Sequence, residues 1–460
     1  AQDSWRFNKL TFNYGVRFDY VKQHVMGQAA QQGRFAASPA YDDIVLPTWK
    51  SVSPRTSVVY DVFGNGKTAI RGGFNKYMTA ATTGFAGLYN PTGLVSQNLT
   101  WTDLNGDDIA QGDRGCVYQT AGCEINFANL PSSFGVRSLA RFDPNLSRPY
   151  QLAFNVGASH EVLPGVAVTA EWFHSTFKNL IARNNVALSA ADYTPVSIYN
   201  PVTGGTVTAY NLAASKAAAS DLLDSNDSNL KRKYDGLEIN FNAKLPKGVR
   251  LFGGTSTERT LSNSCSAAAN NPNLLAFCDQ SAAGIPFTTS FKLAGTYPLP
   301  FYGITFSASL QALAGALLGA DALPYGVFTA GTGWDPSGNA AGPNGRSTYL
   351  NVTPTTNWTA ATCLDSSKCT VGARIIPNMT QAGLTIPLVA AQTEYAPRLT
   401  QVDLSFGKNF TLGSVKVNPK LDLSLVLSRF VIADRYALTG KAQGSGITTK
   451  LYLDDIHWSK

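Results

Sequence analysis

"LTFNYGVRFDY", from Leu10 to Tyr20, alternates between two kinds of side chain at every step. Its even positions hold large apolar or aromatic residues, and its odd positions hold Thr, Asn, Gly, Arg and Asp. Because successive side chains of a β-strand point to opposite faces, this stretch predicts one long strand with an apolar face and a polar face. The apolar face meets either a protein core or lipid, and in the second case the polar face lines a lumen.

The composition of the chain bears on the choice between these two environments. Only 15% of the 460 residues are charged, whereas about a quarter is usual, and aromatic residues reach 11%. The net charge is +7, but the Lys and Arg residues form no dense basic run, which argues against nucleic acid as a partner. No apolar stretch reaches the roughly 18 residues of a membrane-spanning helix, so the sequence predicts no such helix.

The same alternation recurs in pairs of segments that are joined by short turns. Asn65-Gly66, between two such segments, is a strong signal for a tight hairpin. The paired segments are 58–62 and 70–74, 150–158 and 166–172, 237–241 and 249–251, 291–297 and 304–310, and 402–406 and 415–427. With the opening strand and a last strand near 446–458, they predict about twelve strands.

Long polar segments separate these hairpins, so that the strands have short connections at one end and long connections at the other. The long segments are approximately 26–51, 78–148, 179–229, 261–285 and 314–397. This asymmetry is typical of outer-membrane barrels, which have short periplasmic turns and long extracellular loops. We therefore predict an all-β, transmembrane, antiparallel up-and-down β-barrel. It forms one domain over residues 1–460, in the outer membrane of a Gram-negative bacterium, with its loops extracellular.

The six cysteines fall into three local pairs, each within a polar loop segment. Zinc sites favour CxxC spacing with histidine partners, and none of the four histidines lies close to these cysteines in the sequence. Disulfides that close short loops in an oxidising compartment are the better explanation. The expected bonds are Cys116–Cys123, Cys265–Cys278 and Cys363–Cys369.

"DLNGDDIAQGD", from Asp103 to Asp113, has the spacing of the first half of a calcium-binding loop. The candidate ligands are Asp103, Asn105, Asp107, the carbonyl of Ile109, and Asp113. The loop departs from the pattern at Asp108, where Gly is expected, and at Arg114, where Glu is expected, so that Asp113 would have to substitute. The alternative is a turn in a solvated loop, rich in Asp and Asn.

The polar faces of the predicted strands supply candidates for a lumen wall. These residues are Arg17, Asp19, Arg55, Arg71, Asn75, Asn155, Glu171, Glu238, Asn240 and Gln311. In an open pore such residues set ion preference, and in a barrel that contains a plug they form hydrogen bonds to it. The alternative is that they are simply hydrated in a water-filled interior. No GxSxG, HExxH or P-loop motif is present, and "GNGK" at 64–67 is a hairpin turn, so we expect no enzyme.

Several segments resemble one family. "QDSWRFNKLTFNYGVRFDY" (2–20) and "SPRTSVVYDVFGNGKTAIRGGFNKY" (53–77) look like a strand and the following hairpin of TonB-dependent outer-membrane receptors. The resemblance is closest to the Oar-like branch, which carries a carboxypeptidase-regulatory-like domain. "WTDLNGDDIAQGD" (101–113) and "YAPRLTQVDLSFGKNF" (395–410) are similar too. The resemblance implies uptake of a bulky nutrient that is captured by the loops and moved by displacement of a plug, with energy supplied through TonB.

The sequence also departs from that family. Neither the plug nor a TonB box is present, and family barrels have twenty-two strands where this chain supplies about twelve. The first residues lack the charged start and apolar run of a signal peptide. We therefore expect the C-terminal portion of a larger barrel, with outer-membrane lipid and, through an absent plug, the TonB complex as partners. Other surface proteins, or another chain that completes the barrel, are further candidate partners.

Two alternatives to active transport stay open at this point. The chain is either a passive, porin-like channel closed by its own strands, or a structural or adhesive barrel that binds through its disulfide-closed loops. The first alternative predicts ion conductance from this chain alone, and the second predicts a blocked lumen. Apart from calcium, the sequence indicates no cofactor, and it names no substrate.

Overall fold

The structure is a computed structural model of the chain. It describes residues 1–32, 37–38, 40–92, 97–130, 140–268, 270–314, 317–318, 327–328, 349–360, 362–390, 393–395, 398–412, 415–426 and 451–452. A single large antiparallel sheet dominates it, in which each strand pairs with the neighbours that precede and follow it in the sequence. None of the helices in these described ranges is long and apolar enough to cross a membrane.

The large sheet has thirteen strands in sequence order. They are β1 (Gln2–Phe7), β2 (Leu10–Val21), β3 (Trp49–Asp61), β4 (Thr68–Met78), β5 (Tyr150–Leu163), β6 (Val166–Lys178), β7 (Lys231–Lys244), β8 (Arg250–Asn263), β9 (Thr288–Pro298), β10 (Ile304–Leu313), β11 (Leu399–Lys408), β12 (Lys420–Val426) and β13 (Leu451–Tyr452). The predicted all-β architecture of about twelve antiparallel strands is confirmed.

The differences from prediction lie at the two ends of the sheet. β1 was not predicted. The returning segment of the fifth hairpin is broken, because Phe410–Leu412 and Val415–Val417 form a separate two-stranded ribbon before β12 begins at Lys420. Of the predicted last strand, Leu451–Tyr452 pairs with Asp422 and Leu423, and the remainder lies outside the described residues.

Short turns close one end of the sheet, and the β3–β4 turn shows how the sequence builds them. The carboxylate of Asp61 accepts hydrogen bonds from the backbone N–H of Gly64 at 2.9 Å and of Gly66 at 2.8 Å. Both glycines have positive φ, 75° and 72°, a conformation that side chains with a Cβ disfavour. The signal read from Asn65-Gly66 therefore corresponds to a real tight turn.

The register of the sheet separates an apolar face from a polar one. Phe18 lies opposite Val52, Phe74 opposite Phe154, and Trp172 opposite Leu237. These side chains share one face, and they are far from buried: Phe18 is 63% exposed and Val52 is 52% exposed. A continuous exposed apolar face of this kind is what lipid contact requires, and we call it the outward face.

Whereas the sheet leaves its apolar residues exposed, the long connections bury theirs. Short elements fold in these connections, and we call the whole assembly the loop body. A helix spans Thr83–Gly87. A four-stranded sheet consists of Ile181–Asn185, Leu222–Asn226, Arg141–Phe142 and Val327–Phe328. The paired strands are Tyr193–Tyr199 with Thr206–Leu212, Tyr349–Val352 with Leu384–Pro387, His24–Val25 with Ile44–Val45, Gln31–Gln32 with Ala37–Ser38, and Leu317–Leu318 with Glu394–Tyr395. The 3-10 turns are Phe127–Asn129, Ala190–Asp192, Ala214–Lys216, Pro246–Gly248, Cys265–Ala268 and Pro272–Leu274, of which Pro246–Gly248 lies in the short turn between β7 and β8.

The two larger of the three buried clusters in the described residues hold the loop body together, and each combines residues that are distant in the sequence. The first is Val25, Leu46, Trp49, Phe85, Tyr89, Ala140, Leu146 and Ile181. The second is Ile198, Tyr199, Ala209, Leu350, Val352, Trp358, Cys363, Cys369, Ile375, Ile376, Met379, Ile386 and Leu388. Residues 179–226 contribute to both clusters, so this segment connects one cluster to the other.

Candidate functional site on the inward face and in the loop body

The face of the sheet opposite the outward one, which we call the inward face, carries all ten residues that the sequence offered as a lumen wall. The register connects them: Arg55 lies opposite Asn75, Arg71 and Glu171 both lie opposite Gly157, and Glu238 lies opposite Glu171. The other five are Arg17, Asp19, Asn155, Asn240 and Gln311, and their pairings place them on the same side. Among the residues that the structure describes, no pairing joins β1 to β13, so a closed lumen stays a prediction.

An ionic network crosses three strands of the inward face. Arg71 on β4 donates from Nη2 to Glu171 on β6, and Asn155 on β5 donates to the same carboxylate at 2.7 Å. Gly157 lies between the two partners of the ion pair, and a Cβ there would come within 2.7 Å of the Ala170 carbonyl oxygen. The side chain of Glu171 is 12% exposed and that of Arg71 is 37% exposed, so the carboxylate is the more enclosed partner of the ion pair.

A second charged group lies near the loop end of the same face. Arg17 donates from Nε to Asp19 at 2.7 Å, and Nη1 of Arg148 lies 3.6 Å from the other oxygen of Asp19. Arg148 precedes β5 and is only 9% exposed at its side chain, and its Nε donates to the carbonyl of Thr79 at 2.8 Å. Arg148 therefore ties the wall to the start of a long connection, a role that the sequence did not suggest.

The sequence reasoning also missed Asp403 on β11. Its carboxylate accepts hydrogen bonds from Gln401 at 2.8 Å, Ser424 at 2.5 Å and Ser309 at 3.1 Å. These residues come from three adjacent strands and share the inward face with Gln311. The alternation in 402–406 was enough to place Asp403 there, since it stands between the apolar Val402 and Leu404.

The three expected disulfides are present, and all three lie in the loop body. The Cα–Cα separations are 5.9 Å for Cys116–Cys123, 4.9 Å for Cys265–Cys278 and 5.7 Å for Cys363–Cys369. Cys363 and Cys369 are part of the second buried cluster, where they lie among residues from two connections. The disulfides therefore brace folded loops and not free polar coils.

The candidate calcium loop forms a compact group of carboxylates. The side chains of Asp103 and Asp107 come together with that of Glu124, whose carboxylate oxygens lie within 4.8 Å of theirs. Backbone N–H groups of Asp108 and Gly106 lower the pKa of the Asp103 carboxyl below its usual range. Oxygen donors at this density suit a hard cation such as calcium.

The donor set differs from the expected one at its last member. Glu124 is 1% exposed and accepts from the backbone N–H groups of Leu104 and Gln111, at 2.9 and 3.3 Å. Asp113, offered as a substitute for the missing acidic ligand, does not belong to the group of carboxylates. The side-chain NH2 of Asn105 donates to the Asp107 carboxylate at 2.9 Å, and its Oδ1 accepts from the backbone N–H of Asp107 at 3.0 Å. The backbone N–H of Ile109 also donates to the Asp107 carboxylate, at 2.8 Å. No spacing rule in the sequence pointed to Glu124.

Together, these features define a class of protein: an integral membrane β-barrel wall with an exposed apolar outward face, a charged inward face and a folded loop body at one end. The chain belongs to the family described as "Outer membrane beta barrel domain", which matches residues 1–423. The outer membrane of Gram-negative bacteria is therefore its location. No curated protein sequence matches the chain significantly.

Three solved structures are among those to which this chain is similar. The siderophore receptor PirA from Acinetobacter baumannii is 12% identical with a TM-score of 0.40, over 92% of this chain and 40% of PirA. The outer-membrane transporter YddB from Escherichia coli is 9% identical with a TM-score of 0.39, over 92% and 49%. The FrpB iron transporter from Neisseria meningitidis is 8% identical with a TM-score of 0.41, over 92% and 39%. The chain thus spans less than half of each of these proteins.

Proposed function

We propose that this chain forms wall and loops of an outer-membrane transporter of the TonB-dependent receptor type, in its Oar-like branch, which takes up a bulky nutrient. The observation that carries the proposal is the ionic network of Arg71, Asn155 and Glu171 on the inward face. Ionisable side chains within a membrane protein face a water-filled space or a polar partner and mark transport pathways. The sequence segments that resemble those receptors supply the particular class.

The proposal includes a plug and further strands that complete the barrel. β1 is an edge strand of the large sheet, and within lipid an open sheet edge leaves backbone groups without partners. An additional strand that pairs with β1 removes this cost. A plug inside the completed barrel would meet the inward charges and would connect transport to the TonB complex.

We place the loop body on the extracellular side, where it captures the nutrient. Its three disulfides suit an oxidising surface, and its two larger buried clusters give it a defined shape. The proposal assigns binding and passage to the chain and no enzymatic activity. The calcium site of residues 103–113 stays a prediction within this scheme, as a brace for the loop that holds it.

The first test is the intact mass of the protein extracted from its native membrane without reducing agent. The proposal expects a mass well above the 49.1 kDa of this sequence, since the plug and the missing strands must belong to the mature protein. A mass near 49.1 kDa would contradict active transport through a plug.

A conductance measurement then separates the remaining functions. The chain alone is inserted into a planar lipid bilayer, and its ion current is recorded before and after substitution Glu171→Gln. Steady channels whose cation preference falls in the variant would support a passive pore lined by the inward face. A silent barrel that binds other surface proteins would support an adhesive role, and both results would contradict the transporter proposal.

A further inference from the structure

The outward face of the sheet changes its chemistry towards the loop body. In the middle of the face, Phe154, Val156 and Trp172 are 40%, 50% and 43% exposed. Nearer the loops the same face carries lysines. Lys76 lies opposite Leu152, Lys178 opposite Tyr150, and Lys233 opposite Thr176, which is itself opposite Leu152.

These three lysines form one patch. They stand on β4, β6 and β7, with only β5 between the first two, and neighbouring strands lie about 4.8 Å apart. The patch is therefore about 14 Å wide, within the reach of four-carbon lysine side chains. Nζ of Lys76 lies 4.4 Å from the centre of the Tyr150 ring, so an aromatic surface supports it. Lys178 and Lys233 are exposed.

The positive charge of the patch is not cancelled by nearby acids. None of the three lysines is within 4.0 Å of a carboxylate in the described part of the chain. The next outward-facing residue after Lys233 on β7 is Asp235, and its carboxylate already has partners. It lies 2.7 Å from Nδ1 of His174 and directly opposite Arg259.

The other end of the outward face lacks such a patch. Among the strand residues that the structure describes there, Lys408, opposite Ile304, is the one lysine or arginine. Tyr60, Leu10 and Leu251 occupy comparable positions near the turns. Cations on this face are therefore concentrated at the end that carries the loop body.

We propose that Lys76, Lys178 and Lys233 bind the phosphate groups of a phosphorylated lipid in the leaflet next to the loop body. A lipid is the ligand that brings phosphate to this height and acyl chains to the apolar side chains directly beneath it. Lysine side chains lie along apolar surface while their ammonium groups reach the headgroup level. The inference rests on the barrel fold and on the extracellular placement of the loop body proposed above, but not on the transport role.

The test measures lipid binding to the full chain in a neutral detergent by native mass spectrometry. The probe is diphosphorylated lipid A, and phosphatidylcholine is the neutral comparison. The variant K76Q/K178Q/K233Q removes the patch. The matched control K244Q/K292Q/K408Q removes the same charge from the inward face and the turn end. Heat-dependent migration on gels verifies that every barrel is folded.

We expect lipid A binding to weaken at least about tenfold in the patch variant and less than about threefold in the control. Binding to the unsubstituted chain should weaken as salt rises from about 50 to 300 mM, because exposed charges are screened. Equal losses in the two variants, or no preference over phosphatidylcholine, would overturn the proposal. If the patch variant does not fold, an absence of salt dependence in the unsubstituted chain would overturn it as well.

Discussion

Arg183 donates from Nε and Nη2 to the two carboxylate oxygens of Asp224, and both distances are 2.7 Å. Asp224 is completely buried, and the hydroxyl of Tyr89 donates a third hydrogen bond to it at 2.6 Å. These bonds join the segment after the short helix to the four-stranded sheet of the loop body. Burial and the charge of Asp224 raise the pKa of the Tyr89 hydroxyl, which therefore remains a donor at neutral pH.

The Asp224→Asn substitution should loosen the loop body without unfolding the sheet. It leaves the Arg183 guanidinium partly buried without its counter-charge, and removing one partner of a buried pair costs about 3 kcal/mol. Hydrogen exchange followed by mass spectrometry should show faster exchange in residues 83–90 and 181–185. Asp221→Asn removes the exposed partner of Arg141 and is the matched control. Similar exchange in both variants would contradict a supporting role for the buried pair.

The Cys363–Cys369 disulfide should stabilise the second buried cluster. Replacing both cysteines by serine removes a short closed loop, which is worth about 2 kcal/mol in the unfolded-chain entropy model, and it places hydroxyls in an apolar core. Limited proteolysis should then cut residues 349–390 at a lower protease concentration. Replacing Cys116 and Cys123 instead should leave this segment as resistant as before. Equal loss of resistance in residues 349–390 of both double variants would contradict a specific contribution of Cys363–Cys369 to the second buried cluster.

The two faces of β5 should differ in how much a new charge destabilises the folded protein. Val156 is on the outward face between Gly72 and Trp172, so Val156→Arg should cost about 2–4 kcal/mol of folding free energy in lipid vesicles. Ser159→Arg adds the same side chain to the inward face and should cost far less. Urea titrations monitored by gel migration measure both. Equal costs would contradict the assignment of lipid to the apolar face.

Strand pairing could be predicted from the sequence because it depends on local alternation. In β2 the pattern is strict, and the structure keeps all of Leu10–Val21 as one strand. β1 escaped notice because Gln2–Phe7 is only six residues long and begins with Asp3 on its apolar side. The separate ribbon of Phe410–Leu412 and Val415–Val417 was also not predicted. It forms because Pro419 interrupts the returning segment before β12.

The loop body could not be predicted in this way. Its clusters combine Ile198 with Trp358 and Phe85 with Ile181, pairs that are about one hundred or more residues apart and follow no period. Glu124 was missed for the same reason. It lies beside Asp103 because of the tertiary fold, and no fixed spacing in the sequence relates the two residues. The cysteine pairs could be predicted from the sequence because the two members of each pair are close together in the chain.

The last prediction concerns the three neighbouring carboxylates of Asp103, Asp107 and Glu124. Glu124→Gln should abolish the luminescence of terbium that replaces calcium in the loop, because it removes a buried carboxylate whose oxygen lies within 4.8 Å of those of Asp103 and Asp107. Asp113→Asn, the matched control, should leave the signal unchanged since Asp113 stands outside the group. Because backbone N–H groups lower the pKa of the Asp103 carboxyl, this one carboxylate stays charged, and available to a cation, at pH values below the usual aspartate value of about 3.9. A signal lost in Asp113→Asn but kept in Glu124→Gln would contradict this assignment and favour the ligands predicted from the sequence. An absence of signal in the unsubstituted chain would mean that residues 103–113 form a hydrogen-bonded turn without a calcium site.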